Sequence, residues 1–542
     1  MNPKQLLKFA IVVFFINTGI TTCCNAQASG MTVFDEAARI AQLKGKADSF
    51  LSFCVRPIYD ALGIDSLNLK IDLRKNGKTF LGFKKINILP VAFQQQYTSD
   101  HPYGMNDGSM IPAKGYQNQL SLGTSLRNGI VSAQLRPEIV FAQNSYYYGF
   151  PVWQKDFAWR SYYNTVLNVI DAPERFGTGS YLKLFPGQSY IRVNYAKLSL
   201  GVSTENLWWG PGVRSSLLMS NNAPGFPHIS FNTSRPVISP IGSFEWQVIG
   251  GLLKSSGYLP SDTSRRLNGQ PLYAPKDVTD RYLNGVVFSW QPKWTKGLFL
   301  GFTRVFYQYR SEVPNSLNGF LPVIGKFFKK NLPGEDAKKR DQMASVFFRL
   351  IMPREKAELY GEFGRNDHSL DSWDFFLEPE HSRAYIFGFS KMFDGAKRDM
   401  QLFTEIASLQ LPTTIRLRSS ESWYVHYQVR QGYTNYGQVI GAGIGPGGSN
   451  QIIGLQWIAG LDKVGGSVER VVHNNDFYYD GIAAFFNWKR HWVDLALNLN
   501  KSWQSKRIVY DIRLSVVHSL NYAWYYTSIF HYNIGVGLNY LL

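Results

Sequence analysis

The clearest pattern in the chain lies at its C-terminus, where apolar and polar residues alternate with a period of two. Phe530, Tyr532, Ile534, Val536, Leu538, Tyr540 and Leu542 form one apolar face, opposite His531, Asn533, Gly535, Gly537 and Asn539. A soluble sandwich would also show such alternation, but its extension to the last residue favours a strand that closes a barrel. Val493, Leu495, Leu497 and Leu499 repeat the pattern against Asp494, Ala496, Asn498 and Asn500. In a membrane barrel the apolar set meets lipid and the other set faces a polar lumen.

From Asn68 onward the same period holds, with Leu69, Ile71 and Leu73 alternating with Lys70, Asp72 and Arg74. Asn76-Gly77 and Asn128-Gly129 predict tight hairpin turns. Residues 31–66 read differently. "TVFDEAARIAQLKGKA" opens with Thr32 and Asp35 in capping-box-like spacing and repeats apolar residues at Phe34, Ala37, Ala38 and Ala41. A second apolar stretch, "SFLSFCVRPIYDALG", is broken at Pro57. Together they predict a small helical periplasmic segment ahead of the barrel.

Loop lengths give sidedness, because periplasmic turns are short and outer loops long. "MPREKA", Met352 to Ala357, is a short turn between two strands. The insert from Ser311 to Gln342 is therefore expected outside, with Lys326, Lys329, Lys330, Lys338, Lys339 and Arg340, and so is the stretch from Asn366 to Ser382. Beyond Thr404 the strand pattern assigns no side. A membrane strand needs about 9–11 residues, which divides the chain into roughly 16–20 strands.

The N-terminus places this barrel. Lys4 and Lys8 precede an apolar run from Phe9 to Ile16, followed by small and polar residues. That is the layout of a secretory signal peptide, cleaved after Ala26 or Ala28. Cys23 and Cys24 sit behind Thr21 and Thr22, a poor context for lipid attachment. Cys54 is then the lone mature cysteine, so no intramolecular disulfide forms and a small buried apolar role fits it. No long uncharged apolar run follows, whereas 31 Tyr, 37 Phe, 14 Trp and 48 Gly do. The fold expected is all-β: a large transmembrane antiparallel barrel with a small N-terminal helical periplasmic segment. Residues 1–26 are its signal peptide, 27–66 the helical segment, and 67–542 an outer-membrane barrel with extracellular and plug loops. A secreted propeller is the rival, and no repeat at blade spacing supports it.

With 57 Lys and Arg against 39 Asp and Glu, the formal net charge is +18. Such a surface favours anionic lipid headgroups, acidic polysaccharide or nucleic acid. Export excludes nucleic acid, and contact with a phosphate-rich membrane surface explains the charge as readily as a ligand does. The histidines, among them His101, His228, His368 and His381, show no metal-ligand spacing. "GAGIGPGG" (441–448) lacks the Lys-Ser/Thr of a phosphate cradle and reads as a flexible loop. No local signature selects a Ser-His-acid set, so no enzyme, cofactor or metal is expected.

One stretch departs from the strand pattern. "LWWGPGVRSSLLMSNNAPGFPHISF", Leu207 to Phe231, joins paired tryptophans to a Gly-Pro-Gly turn, an Asn-Asn pair and a second Pro-Gly cluster. Gly210, Pro211 and Gly212 fix a turn. Trp208 and Trp209 carry too much apolar surface to be left exposed without purpose. Packing of an inward-folded plug is the leading reading for them. Direct glycan contact by Trp208, Trp209, Arg214, Asn221, Asn222 and His228 is the second, since sugar rings stack on aromatics while amides and Arg bond hydroxyls and carboxylates.

The spacing of Trp-Gly-Pro-Gly to Ser-Asn-Asn resembles the Wzi-like capsule-assembly family of outer-membrane proteins. A looser echo follows in "GYTNYGQVIGAGIGPG" (432–447), without the basic and histidine residues expected in that stretch. The chain also ends in Leu542 where outer-membrane proteins usually end in an aromatic. The resemblance implies a large barrel with a helical periplasmic segment. It would bind surface polysaccharide as a lectin and help assemble or attach capsule or exopolysaccharide. The expected partners are surface polysaccharide, acidic by the charge argument, and outer-membrane lipid, with a monomer favoured. Lys329, Lys330, Lys338 and Lys339 are the candidate extracellular basic contacts. The competing class is a porin-like channel for anionic solutes or sugars.

Overall fold

The computed structural model describes residues 33–46, 49–57, 78–80, 83–324, 339–366, 377–416, 420–483 and 489–541. Among them, eighteen antiparallel strands close into one barrel, within the range expected. Closure joins Ile529–Tyr540 to Phe83–Thr98, with Asn533 opposite Thr98 and Tyr540 opposite Val91. Some wall positions are built from two pieces. Val131–Leu135 and Glu138–Ala142 flank Arg136-Pro137, and Tyr181–Phe185 and Tyr190–Tyr195 flank Pro186 to Ser189. Proline has no N–H to give the ladder, so the strand breaks there.

The terminal alternation is realised as expected. Phe530, Tyr532, Ile534 and Tyr540 are exposed on the outside, while His531, Asn533 and Gly535 are buried on the inside. Leu495, Leu497 and Leu499 likewise face out, and Asp494 and Ala496 face in. Aromatic side chains gather where the wall meets the headgroups. Trp290 and Trp294 pack 5.6 Å apart beside the turn Lys293 to Gly297, and Trp503 stacks on Tyr510 at 4.9 Å beside Lys506-Arg507.

Connections sort by length onto the two ends. At one end they are two to five residues long, among them Gly129-Ile130, Pro353 to Lys356 and Lys506-Arg507. Gly129 takes φ +57°, the left-handed value an Asn-Gly hairpin needs. At the other end they run from eight residues (521–528) to forty (409–448). The short-turn end is periplasmic. The stretches 310–339 and 367–382 join strands at the opposite, outer end, and the sidedness unassigned beyond Thr404 is fixed by the same rule.

Part of the expected helical segment is not helical. Among the described residues of this stretch Val33–Leu43 is a helix, whereas Leu51 to Pro57 is irregular, with Phe53 at φ +55°, and Val55–Arg56 forms a strand; 58–66 lie outside the described residues. The reason is pairing: Val55 and Arg56 bond with Trp209 and Trp208 of the plug. The helix seats in the periplasmic mouth. Ile40 and Leu43 pack with Phe299, Ile351, Met392 and Ile458, and Arg39 with wall residue Arg349 clamps Glu358 at 3.1 and 2.7 Å. The signal peptide, the Thr32 cap, the alternation from Asn68 to Arg74, the Asn76-Gly77 turn and the boundary at 66/67 lie outside the described residues.

The core sits inside the barrel rather than between layers. Wall residues such as Ile249, Leu283, Val305, Met343 and Tyr360 join one buried cluster with Leu217, Met219, Tyr424 and Tyr433 of the long loops. A water-filled channel keeps its lumen polar; this lumen carries packed apolar side chains.

Candidate functional site

The stretch from Leu207 is the centre of that inward fold. Trp208 and Trp209 are 1% and 0% exposed. Gly210 N donates to Cys54 O at 2.8 Å, extending the pairing with Val55 and Arg56. The Trp209 indole donates to Gln247 Oε1 at 2.9 Å, and the Arg56 guanidinium stands 4.7 Å over the Trp208 ring. The wall makes room for Trp209 at Gly285, where a Cβ would lie 2.8 Å from its ring.

The Gly-Pro-Gly turn is shaped by two wall carboxylates. Gly210 has φ +111°, and a Cβ there would lie 2.9 Å from Glu362 Oε2, so only glycine fits. Beyond the turn the N–H groups of Val213, Arg214 and Ser215 converge on Glu405 at 2.7, 3.0 and 2.7 Å. Tyr360 OH adds a fourth bond to Glu405 at 2.8 Å, and Glu362 accepts from Leu217 N at 3.3 Å and Ser345 Oγ at 2.7 Å. Successive amides curled around an anion form a concave nest. Here the anion is the barrel's own side chain.

The remaining sequence candidates also bond within the chain. Arg214 donates to Glu469 twice, Nε to Oε1 at 2.9 Å and Nη2 to Oε2 at 3.0 Å. Asn221 Nδ2 donates to Asn106 O at 3.0 Å while its Oδ1 accepts from Asn206 Nδ2 at 2.6 Å. Asn222 Nδ2 donates to Val439 O at 3.0 Å. His228 is buried, its Nδ1 2.8 Å from Phe226 O and its Nε2 without a partner. Five of these six residues share one plug, and His228 opens the adjoining wall strand His228–Thr233. Of the basic loop, Lys329, Lys330 and Lys338 lie outside the described residues, and Lys339 pairs with Glu312 at 2.7 Å.

The second family-like stretch packs directly on the first. Ser220 N donates to Ile440 O at 2.9 Å and Asn435 Nδ2 to Pro224 O at 2.9 Å, and Tyr424, ahead of that stretch, donates its OH to Leu217 O at 2.6 Å. The flexible loop expected at 441–448 is instead partly core. Ala442 and Ile444 are buried, and a Cβ on Gly441 would lie 2.3 Å from Leu217 O. Its glycines serve close backbone approach, which sequence alone cannot tell from flexibility.

Sequence reasoning missed Glu362, Glu405 and Glu469, the wall groups that hold the plug. Their signal was present: a glutamate on the inward side of a strand whose other side is apolar needs a partner inside. It missed another cluster too. Ser519 Oγ donates to Asp494 Oδ1 at 2.5 Å and lies 3.0 Å from His101 Nε2, whose Nδ1 faces Asp100 at 3.1 Å. The order of groups mimics a hydrolytic triad. Ser519 and His101 are, however, fully buried and the Ser519 proton is held by Asp494, so the cluster packs the base of the outer loops. Among the described residues no group of three or more His, Cys, Asp or Glu could hold a metal ion.

One solved structure shares this architecture. Escherichia coli Wzi, an outer-membrane protein involved in group 1 capsule assembly and a carbohydrate-binding β-barrel, superposes with a TM-score of 0.61 at 14% identity, covering 95% of this chain and 100% of its own. Pseudomonas aeruginosa OccK7 (OpdD) gives a TM-score of 0.39 at 9% identity over 85% of this chain and 99% of its own. Pseudomonas putida OprB gives 0.36 at 8% identity over 84% and 94%. No curated protein matches. The family model for capsule assembly protein Wzi matches residues 85–482, and the chain belongs to that family of outer-membrane β-barrels.

Proposed function

We propose that this protein binds surface polysaccharide, as a monomer and without chemical transformation, and assists assembly and attachment of capsule or exopolysaccharide at the cell surface. One observation carries the reading beyond family membership. The lumen is occupied by a plug in which Val213, Arg214, Ser215, Asn221 and Asn222 bond to the chain itself, through Glu405, Glu469, Asn106 and Val439. A ligand arriving from outside therefore meets the outer faces of the long loops, where binding groups commonly sit on a rigid scaffold. In this reading Trp208, Trp209 and Arg214 fasten the plug, and sugar contacts belong to the rim.

The net charge of +18 suits an acidic polymer. The Escherichia coli protein of the same fold is described as carbohydrate-binding, and that description supports the same class of ligand here. The test is to delete the protein and measure cell-associated against released polysaccharide. The expected result is polysaccharide shifted to the medium with total synthesis unchanged. Unchanged retention, with purified protein passing ions freely across a planar bilayer, would favour the porin-like alternative.

A further inference from the structure

The outer connections carry large aromatic rings that pack neither in the lumen nor on the lipid-facing strands. Trp153 in the connection 143–180 and Tyr526 in 521–528 are 51% and 58% exposed. Their rings lie nearly parallel, 7° apart with centroids 6.5 Å from each other. The Arg490 guanidinium sits 3.5 Å from the Tyr526 centroid and 5.7 Å from that of Trp153. No carboxylate among the described residues pairs with Arg490; its Nη2 donates to Tyr526 OH and its Nε is buried without a hydrogen-bond partner.

A membrane girdle accounts poorly for this group. Girdle rings stand on outward-facing strand ends, whereas these three side chains come from three connections, 143–180, 473–492 and 521–528, beyond the strand ends. A guanidinium with no carboxylate partner also gains little from the acyl boundary. It gains most from a planar carboxylate, which it binds through two parallel N–H bonds. Exposed rings beside it offer the apolar, π-rich face on which the C–H side of a pyranose rests.

We propose that Trp153, Tyr526 and Arg490 form a binding subsite for an acidic sugar residue, the ring lying against the aromatics and its carboxylate on Arg490. This deepens, and rests on, the polysaccharide-binding reading above. The same chemistry recurs nearby, as a repeating polymer would require. Tyr146 and Tyr148 pack edge-on at 5.4 Å, and the Arg175 guanidinium stands 4.8 Å over Tyr146, again with no carboxylate partner among the described residues.

The test uses full-length protein in lipopolysaccharide-free detergent, with barrel assembly checked by heat-modifiability. The probes are polysaccharide extracted from the surface of the producing cells, and the same material after chemical reduction of its carboxylates to alcohols. Trp153→Ala with Tyr526→Ala should weaken binding of both probes about tenfold, the equivalent of ~1.4 kcal/mol. Arg490→Gln should weaken the native probe alone, to the affinity the wild type shows for the reduced one. If the wild type binds and both variants match it on both probes, the subsite is wrong while the polysaccharide reading stands. If the wild type binds neither probe, that reading falls and this proposal with it. A third arm offers lipopolysaccharide: variants that lose it yet keep polysaccharide would make the rings a lipid-headgroup contact and overturn the proposal.

Discussion

Glu405 offers the sharpest test of how the plug is held. It is 2% exposed and accepts bonds from the N–H groups of Val213, Arg214 and Ser215 and from Tyr360 OH. Glu405→Ala would leave these donors without an acceptor. A buried donor left unmade costs ~1–3 kcal/mol, so three amides at the low end take roughly 3 kcal/mol from the free energy of opening the loop. At ~1.4 kcal/mol per decade, the open population rises about a hundredfold. Cys54 reports it directly. Its thiol is fully buried and pushed up to about 12 by that burial, and its carbonyl holds Gly210 N at 2.8 Å. Maleimide labelling of native protein should be slow in the wild type and about a hundredfold faster in the variant, in proportion to local opening. Glu405→Gln, which keeps one oxygen acceptor, should fall between and guards against a variant that fails to assemble. Labelling within threefold of wild type, in barrels that remain heat-modifiable, would refute the idea that this carboxylate fastens the plug.

Other perturbations separate wall, plug and rim. Val536→Arg on the lipid face should cost roughly 2–4 kcal/mol if near the bilayer midplane, read as denaturant sensitivity after folding into vesicles. Gly535→Ala should be milder, since its Cβ would meet only the Arg513 side chain at 3.3 Å. Trp208→Ala with Trp209→Ala should impair assembly before binding, because truncating a buried Trp costs ~3–5 kcal/mol; normal heat-modifiability with lost polysaccharide would instead put sugar on the motif. Replacing Lys329, Lys330, Lys338 and Lys339 with Gln should lower cell-associated polysaccharide at low salt and flatten its salt dependence, because exposed charges are screened over about 10 Å at 0.1 M ionic strength. An unchanged salt profile would remove those lysines from the binding surface.

The wall was legible because each strand has one face in lipid, and a period of two survives wherever that holds. It faded at Arg136-Pro137 and Pro186, where a strand breaks and resumes in the same wall position. The plug was legible only as turn chemistry. Gly210 and Gly441 announce tight backbone, but whether a turn points to water or into a lumen depends on carboxylates such as Glu362 and Glu405, which lie far along the chain. Pairing of Val55-Arg56 with Trp208-Trp209 was hidden for the same reason, since a two-residue strand leaves no period to read. The rim rings were least visible of all: Trp153, Arg490 and Tyr526 meet only because the barrel closes.

The central claim is that the outer face of a plugged barrel holds polysaccharide. The most direct measurement is a binding isotherm of purified, detergent-solubilised protein against polysaccharide extracted from the surface of the same cells. Saturable binding that weakens as salt rises is the predicted result. No binding at low salt by correctly assembled barrels would contradict it.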